Sequence, residues 1–414
     1  MQPVLIYPVS FLRVPSIGIP DMFLTKEAID LNCASETLET RKNDSYPEGG
    51  LQAWSVVLGA WCAMIPSMGL LNSLGILHAW TSTHQLKEYS ESSIGWIFGG
   101  YGFFLYIAGA QAEYYQIFLS FSVLGGLSAC TLFTPAIAAV GHWFDIRRGL
   151  ATGIACTAGG IGGVIFPLII LFAAPKIGFG WAIRIIALLC AILCAIACLL
   201  LKTRLPSNTK AGASVDFRAL RDVKYASTTA AVFLVEFAVF IPMTYIASYG
   251  VYKGLDKTIA YLLIPFLNLG AIPGRFLPGL VADRMGRFNV MILTSFVCSI
   301  MTLALWVKAG SNLASIICYA VLFGFWSGAA ISLTPVCISQ VCATEDYGKR
   351  NGTTFTIVSV GTLIGIPIAG AIQEQNGGEY GGLIVFGGVL YLASTGAFVV
   401  ARGICAGWSV KRRF

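Results

Sequence analysis

Two charged residues stand inside long apolar stretches of this 414-residue sequence. Arg275 lies within Thr258–Val281, and Glu236 lies within Tyr225–Tyr249. A charge inside a lipid bilayer is energetically expensive, and such residues mark substrate or proton pathways by default. The planar guanidinium group of Arg275 matches a carboxylate, so the sequence predicts that Arg275 binds an organic anion. The alternative is a structural arginine whose side chain extends to the nearby membrane surface.

Glu236 has two candidate roles. It could form an ion pair with Arg275, or it could exchange a proton during transport, as carboxyl groups in membrane pumps and transporters do. A purely structural pairing and a position close to a loop are the alternatives. The proton role would suit a lone acid that faces a polar cavity.

A compact charged turn follows the stretch that holds Arg275. It contains Asp283, Arg284 and Arg287, and Gly286 allows the backbone to reverse tightly. Charges of both signs at a membrane surface can hold neighbouring helix ends together in one conformation and release them in another. Arg147 and Arg148, a basic pair at another helix end, are counted with this latch. The alternative is a solvated loop whose basic residues only anchor the helices.

Composition identifies the elements that must position these residues. The chain is 56% hydrophobic and 11% charged, whereas a soluble domain carries roughly 25% charged residues. Runs of about 20 apolar residues match the thickness of a bilayer, and they lack the two-residue alternation of barrel strands. The predicted fold is therefore an all-α polytopic membrane protein. Eleven spans can be drawn: Ala53–Leu77, Ser93–Gln111, Tyr115–Val140, Gly149–Ala173, Trp181–Leu201, Tyr225–Tyr249, Thr258–Val281, Asn289–Val307, Leu313–Val341, Gly352–Ile372 and Gly382–Ile404.

Charge and cysteine usage narrow the function classes. The net charge of +7 comes from basic residues in loops and tails, which is the positive-inside pattern of membrane proteins, so we expect no nucleic-acid partner. The 12 cysteines lie mostly in apolar spans and include no C-x-x-C pair, which favours packing over metal binding. The sequence contains no P-loop and no nucleophile–base set. We therefore expect neither an enzyme nor a cofactor, and the bilayer is the expected surrounding.

The two halves of the chain repeat each other at two different offsets. Ile94 and Gly109 match Ile259 and Gly274 at an offset of 165, whereas Thr134, Pro135 and Pro167 match Thr334, Pro335 and Pro367 at an offset of 200. The difference of 35 residues equals the length of Arg275–Ala309, one turn plus one span. The prediction is a duplicated bundle that lacks its third helix near residues 111–114. The predicted organisation is a tail (1–50), a first bundle (51–201), a loop (202–224), a six-helix bundle (225–404) and a basic tail (405–414).

The distribution of lysine and arginine supports twelve spans. Arg147 and Arg148 fall on the same side as the other basic loops only when a helix is restored between Gln111 and Tyr114. Two explanations stay open for finding eleven spans in the sequence where twelve are expected. One is an internal deletion in a spliced or mispredicted product, and the other is a protein that tolerates a re-entrant segment.

Three strings resemble known signatures. Residues 274–287, GRFLPGLVADRMGR, resemble the inter-helix motif of the major facilitator superfamily, and only the copy in the second half is present. Residues 48–54, EGGLQAW, and 144–155, FDIRRGLATGIA, resemble the two signatures of the monocarboxylate transporter family in their fungal form. The resemblance covers roughly 46–402. It implies two six-helix bundles, alternating access and, by family expectation, proton coupling.

The resemblance also assigns residues. An arginine at the place of Arg275 binds the anionic substrate in that family. The aspartate that precedes it in animal members is replaced here by Ala271, and the lysine of the first helix falls at Asn72. Asn268 is expected to line the path. These departures weaken the case for a simple monocarboxylate.

The expected function is secondary transport of a small organic anion or metabolite across the plasma membrane, with the vacuolar membrane as the alternative location. A second class is a non-transporting truncated isoform or membrane sensor of the same family, because the missing helix would unsettle the first bundle. A full-length transcript would discriminate between an artefact of the gene model and a real short form.

Overall fold

The computed structural model describes residues 46–77, 125–202, 204 and 216–408. Within them every long element is a helix, and we number ten. They are α1 Leu51–Asn72, α2 Gly126–Trp143, α3 Arg148–Ile177, α4 Phe179–Leu200, α5 Val223–Tyr252, α6 Lys257–Met285, α7 Arg287–Trp306, α8 Leu313–Gln340, α9 Tyr347–Gln375 and α10 Gly381–Ala406.

Nine of the described helices, all except α2, are long and apolar enough to cross a membrane. The predicted span Ser93–Gln111 lies outside the described residues, as does the predicted gap at 111–114. The predicted span Tyr115–Val140 is described from residue 125 onward, as α2. The helical membrane fold predicted from composition is confirmed by this architecture.

Helix boundaries follow from local chemistry. Asp222 and Asp256 accept hydrogen bonds from the backbone N–H groups of Lys224 and Thr258 at 3.0 and 2.9 Å, which caps the starts of α5 and α6. Gly286 has a φ of 99°, a conformation that glycine adopts without steric cost, and the chain reverses there between α6 and α7. The tight reversal predicted at Gly286 is therefore present.

The residues of the predicted latch lie together at one end of the bundle, and we call this end the latch face. The backbone N–H of Glu48, just before α1, donates to the Trp143 carbonyl at the end of α2 at 3.3 Å. The start of α3 follows directly at Arg148, and the end of α6 contacts it through Asp283. Helices α1 and α3 therefore leave the latch face, whereas α2 and α6 arrive at it.

Small residues let the two halves approach closely where α3 crosses α6. A methyl group added at Gly149 would lie 2.7 Å from the Gly279 carbonyl oxygen, and one added at Gly160 would lie 2.9 Å from Ile272. Helices in membranes pack closely through such positions because small side chains let backbones meet. The α3–α6 crossing runs from the latch face to the middle of the bundle, and it carries the predicted site.

Candidate functional site

Arg275 lies at the α3–α6 crossing, and its side chain is 1% exposed. Its Nη1 donates to the backbone carbonyl of Cys156 on α3 at 2.7 Å. Its Nε and Nη2 have no hydrogen-bond partner among the described residues. A buried donor without a partner carries a desolvation penalty of about 1–3 kcal/mol, and more when it is charged. One N–H group of the guanidinium group is thus hydrogen-bonded, and those of Nε and Nη2 are available to another acceptor.

The backbone around Arg275 explains how a large cation fits there. A methyl group at Gly159 on α3 would collide with Nη1 of Arg275, so the glycine provides the room that the side chain fills. The Arg275 carbonyl accepts a hydrogen bond from the Ser332 hydroxyl on α8 at 3.1 Å. Two helices from different halves of the chain therefore position one residue.

Two asparagines line the same crossing. The Asn72 amide donates to the Gly159 carbonyl at 2.7 Å, and the Asn268 amide donates to the Asn72 carbonyl at 3.2 Å. Both side chains are buried, and the Oδ1 atom of each has no partner in the described part of the chain. Gly163 leaves the space that the Asn268 side chain occupies. Asn72, Asn268 and Arg275, which the sequence predicted separately, are brought together.

A local irregularity in α1 precedes Asn72. Residues Ile65–Gly69 form a π-helical segment that contains Pro66, and such segments interrupt the regular helical register, often at functional sites. Its last residue, Gly69, packs against Gly162 of α3, where an added methyl group would lie 2.8 Å from the Gly162 Cα. The π segment and the glycine contact set Asn72 against the start of the Gly159–Gly163 run.

Glu236 approaches from α5 and is 3% exposed. Its carboxyl group lies close to the Thr334 hydroxyl of α8, which donates to the Ala330 carbonyl at 3.0 Å, and it lies near enough to Arg275 for the two charges to interact. The carboxyl group does not hydrogen-bond to Nε or Nη2 of Arg275, because those atoms have no partner. The structure therefore places the two buried charges in one polar region without pairing them directly.

The latch residues form a second site on the latch face. Both oxygens of the Asp283 carboxylate accept hydrogen bonds from the first turn of α3, from the N–H groups of Gly149 at 3.0 Å and Leu150 at 2.9 Å. The N-terminus of a helix carries a partial positive charge, so a carboxylate is stabilised there. This contact joins the end of a helix in the second half to the start of a helix in the first.

The arginines of the latch differ in what they contact. Arg287 donates to the Asp145 carbonyl at 2.6 Å and lies 3.7 Å from Asp283. Arg148 is buried, donates to the Phe144 and Gly141 carbonyls at 2.8 and 3.0 Å, and lies over the Tyr347 ring of α9. The side chains of Arg284 and Arg147 are exposed. Arg287 therefore bridges the halves, whereas Arg284 and Arg147 face outward.

Glu48 makes a contact on the latch face that was not predicted from the sequence. Its carboxylate accepts hydrogen bonds from three consecutive N–H groups, those of Asp145 at 2.8 Å, Ile146 at 2.8 Å and Arg147 at 3.2 Å. Consecutive N–H groups in a turn form a concavity that binds anions. The available signal was the string Glu48-Gly49-Gly50, which identifies the start of α1 but does not indicate a partner nearly a hundred residues away.

Comparison with known proteins agrees with this architecture. Residues 92–366 match the family model described as Major Facilitator Superfamily. The chain is similar to the MFS transporter asaE of Aspergillus flavus, with 36% identity over 397 aligned residues that cover 88% of this chain and 90% of the relative. It is also similar to the riboflavin transporter MCH5 of Saccharomyces cerevisiae, with 33% identity over 424 residues that cover 89% of this chain and 81% of that protein.

The fold has a solved counterpart. The Escherichia coli fucose:proton symporter FucP superimposes with a TM-score of 0.53 and 14% identity, over 84% of this chain and 94% of that one. At this identity the likeness concerns the fold alone. The relatives are named as transporters and the fold is that of a transporter, so the chain is a membrane transporter and not an enzyme. The family match spans well over half of the sequence, and the chain therefore belongs to the major facilitator superfamily.

Proposed function

We propose that the chain is a secondary active transporter of a small organic anion or polar metabolite, with Arg275 as the anion-binding residue. The observation that carries the proposal is the buried guanidinium group at the α3–α6 crossing, with Nε and Nη2 unpaired among the described residues. A carboxylate can accept both N–H groups at once, because the fork of an arginine matches its geometry. A bound anion would thus remove the penalty of the unpaired donors.

The neighbouring amides favour a substrate with more than one polar group. The unpaired Oδ1 atoms of Asn72 and Asn268 can accept hydrogen bonds from hydroxyl or N–H groups of a solute. In the monocarboxylate-like resemblance, Asn72 takes the place of a lysine and Ala271 that of an aspartate. Two amides in place of charges support a larger polar solute over a simple monocarboxylate, and one relative is named as a riboflavin transporter.

Glu236 is the proposed proton site. It is buried, it interacts with the charge of Arg275, and it lies close to the Thr334 hydroxyl. Binding of an anion to Arg275 would change the charge that Glu236 experiences, so substrate and proton occupancy would be coupled. Proton-coupled symport through a monocarboxylate-like mechanism rests on this proximity and on the family resemblance.

Alternating access is the proposed mechanism. The Asp283 contact would hold the two halves together on the latch face and so close the substrate path on that side. The contact joins the two halves through two backbone hydrogen bonds at the start of α3. Rocking of one bundle against the other would break them while each half keeps its own packing. The plasma membrane is the proposed location, and the vacuolar membrane is the alternative.

Substitution of Arg275 tests the proposed substrate site. We expect Arg275→Ala to abolish uptake in a transporter-null host supplied with a panel of organic anions, and Arg275→Lys to keep only a small fraction because it cannot form the bidentate contact. The matched control is Arg221→Ala, an exposed arginine just before α5 that belongs to neither the proposed site nor the latch, which should keep wild-type uptake. Amounts of each variant in the membrane are measured by immunoblotting.

Normal uptake by Arg275→Ala would contradict the assignment of Arg275. Absence of uptake by the unsubstituted chain, together with uptake by a form in which a helix is restored after Gln111, would instead favour the second candidate, a non-transporting truncated member of the family. The observation that favours this candidate is an uncovered face on α4, described below.

A further inference from the structure

Helix α4 is poorly covered for a helix of this bundle. In its most apolar 18 residues 11% are buried, whereas the corresponding value is 39% in α10 and 83% in α5. Leu188, for example, is 64% exposed. Some exposure to lipid is normal for a peripheral helix, so the comparison that matters is with its own repeat in the second half.

The internal repeat identifies α10 as the counterpart of α4. Gly178 before α4 and Gly378 shortly before α10 have nearly the same positive φ, 86° and 87°, at the offset of 200 that relates Thr134 to Thr334. The same offset matches Leu188 with Gly388, Ala191 with Tyr391, and Cys198 with Phe398. We call Leu188, Ala191 and Cys198 the bare stripe, because all three are exposed while their three counterparts are buried. Their spacing of three and seven residues puts them on one helix face.

In the second half this face is covered by α7. The Ser299 hydroxyl of α7 donates to the Gly388 carbonyl at 2.9 Å, and Leu303 fills the space beside Gly388. The Phe288 ring of α7 lies 6.3 Å from that of Phe398 in an edge-on arrangement. Helix α7 lies within Arg275–Ala309, the segment that has no counterpart in the first half of the sequence. The bare stripe is thus the surface that an equivalent of α7 would cover.

The sequence between Leu77 and Gly126 is where a first-half counterpart of α7 is expected, because α7 precedes α8 at the same place in the second half. That interval of sequence contains a single separate apolar run of span length, Ser93–Gln111, before the run that continues into α2. The repeat relates Ser93–Gln111 to α6, which packs against α3 and α8. The run therefore corresponds to a different helix from the one that covers the stripe.

Relatives carry residues that this chain lacks. In the alignment with the Aspergillus flavus transporter, 88% of 414 residues is about 364, so about 33 of the 397 aligned positions have no residue from this chain. With the yeast transporter, 89% of 414 is about 368, which leaves about 56 of 424 positions. The smaller number is close to the difference of 35 between the two repeat offsets.

We infer that the bare stripe of α4 is the docking face for one further membrane-spanning helix, carried on a segment of about 35 residues between Gln111 and Tyr114 that this chain lacks. The occupant is an apolar helix that runs beside α4 as α7 runs beside α10. The inference concerns the completeness of the first bundle, so it stands whether or not Arg275 binds the substrate.

The test restores the helix and measures packing. The segment that the Aspergillus flavus relative has and this chain lacks is inserted after Gln111, and the control insert is a poly-leucine span of equal length. We expect the native-like insert to raise the unfolding temperature in lipid nanodiscs by about 5 °C or more over the control insert, because buried contacts add to the free energy of unfolding. Equal unfolding temperatures for the two inserts would overturn the inference.

Cross-linking locates the inserted helix. With the other cysteines replaced, native Cys198 should form a disulfide with a cysteine scanned along the insert, at positions spaced three or four residues apart. Ala197→Cys in a Cys198→Ser background is the matched control, since Ala197 is buried on the other side of α4. A Cys198 cross-link to Ser93–Gln111, or between two copies of the native chain, would show a different occupant and overturn the inference.

A measurement on the chain without an insert, with the other cysteines replaced, keeps the inference testable if no insert accumulates. A spin label on Cys198 in nanodiscs should collide freely with dissolved oxygen, which concentrates in the lipid, whereas a label on Ala197→Cys should be protected. Protection of Cys198 in the native chain would mean that the stripe is already covered and would overturn the inference.

Discussion

The single arginine at the α3–α6 crossing shows how the candidate site depends on the glycines around it. Arg275 fits because Gly159 has no side chain, and Asn268 fits because Gly163 has none. The glycines therefore have a role beyond close packing, because they form the space in which polar groups remain available for a ligand.

Gly159→Ala is expected to impair transport without preventing membrane insertion. Its methyl group would collide with Nη1 of Arg275 and lie 3.1 Å from the Asn72 amide, so the site would have to rearrange. We expect at least about a tenfold loss of uptake, since even a small misplacement of a binding group has effects of this size or larger. Gly180→Ala on α4 is the control, because the only atom that its methyl group would meet is 3.8 Å away. Uptake at the wild-type level in Gly159→Ala would argue against a site at this crossing.

The residue types at the site were predictable, but their partners were not. A charge in an apolar span is visible in the sequence, and so Arg275 and Glu236 were identified directly. That Arg275 donates to the Cys156 carbonyl depends on the crossing of helices separated by 119 positions, which local patterns do not encode. Asn72 was identified only by counting along a family resemblance, because an amide in an apolar span is a weak signal.

At the scale of elements, the start of α3 is the point where the two halves meet. Asp283 should matter there as a helix cap, and its removal should open the latch face. We expect Asp283→Ala to increase the labelling of buried Cys156 by a maleimide applied from the latch side, in a background where the other cysteines are replaced. A lost cap typically costs about 0.5–2 kcal/mol, which shifts a two-state equilibrium by roughly 2- to 30-fold.

The matched control for Asp283 is Glu345→Ala, an exposed acidic residue in the turn before α9. Its labelling pattern should equal that of the unsubstituted chain. Unchanged Cys156 labelling in Asp283→Ala would mean that the latch face is held closed by other contacts, such as those of Arg287.

The sequence predicts which segments form helices more accurately than it predicts which helices contact each other. The fourth of the five spans drawn in the first half, Gly149–Ala173, is observed as Arg148–Ile177, and Tyr225–Tyr249 is observed as Val223–Tyr252. Apolar runs predict spans because the bilayer requires them, and their ends shift by a few residues because capping groups decide where a helix stops. The π segment in α1 was not predicted, because Pro66 signals an irregular turn there but does not specify a π turn, and spans tolerate proline in several ways.

At the scale of the whole molecule, the α3–α6 crossing is a large contact surface between the two halves of the chain. Gly279→Ala should weaken closure by sterics alone, because its methyl group would collide with the Gly149 carbonyl. We expect raised Cys156 labelling, as in Asp283→Ala, but Gly279→Ala keeps the Asp283 carboxylate, so its labelling should retain the sensitivity to salt that a charged contact can have. Gly352→Ala is the control, since an added methyl group there has no atom within 4 Å. Identical labelling of the two variants would exclude the crossing as the moving surface.

Two carboxylates stabilise the start of α3 by binding different backbone N–H groups. Glu48, from the same half, binds the N–H groups of residues 145–147, whereas Asp283, from the other half, binds those of residues 149 and 150. In the proposed cycle, the second acid would depart when the halves separate and the first would remain, so the turn would not have to be rebuilt before the next closure. Each cycle would then exchange two hydrogen bonds with water and return to an ordered helix end, which would keep the reset step short and reversible.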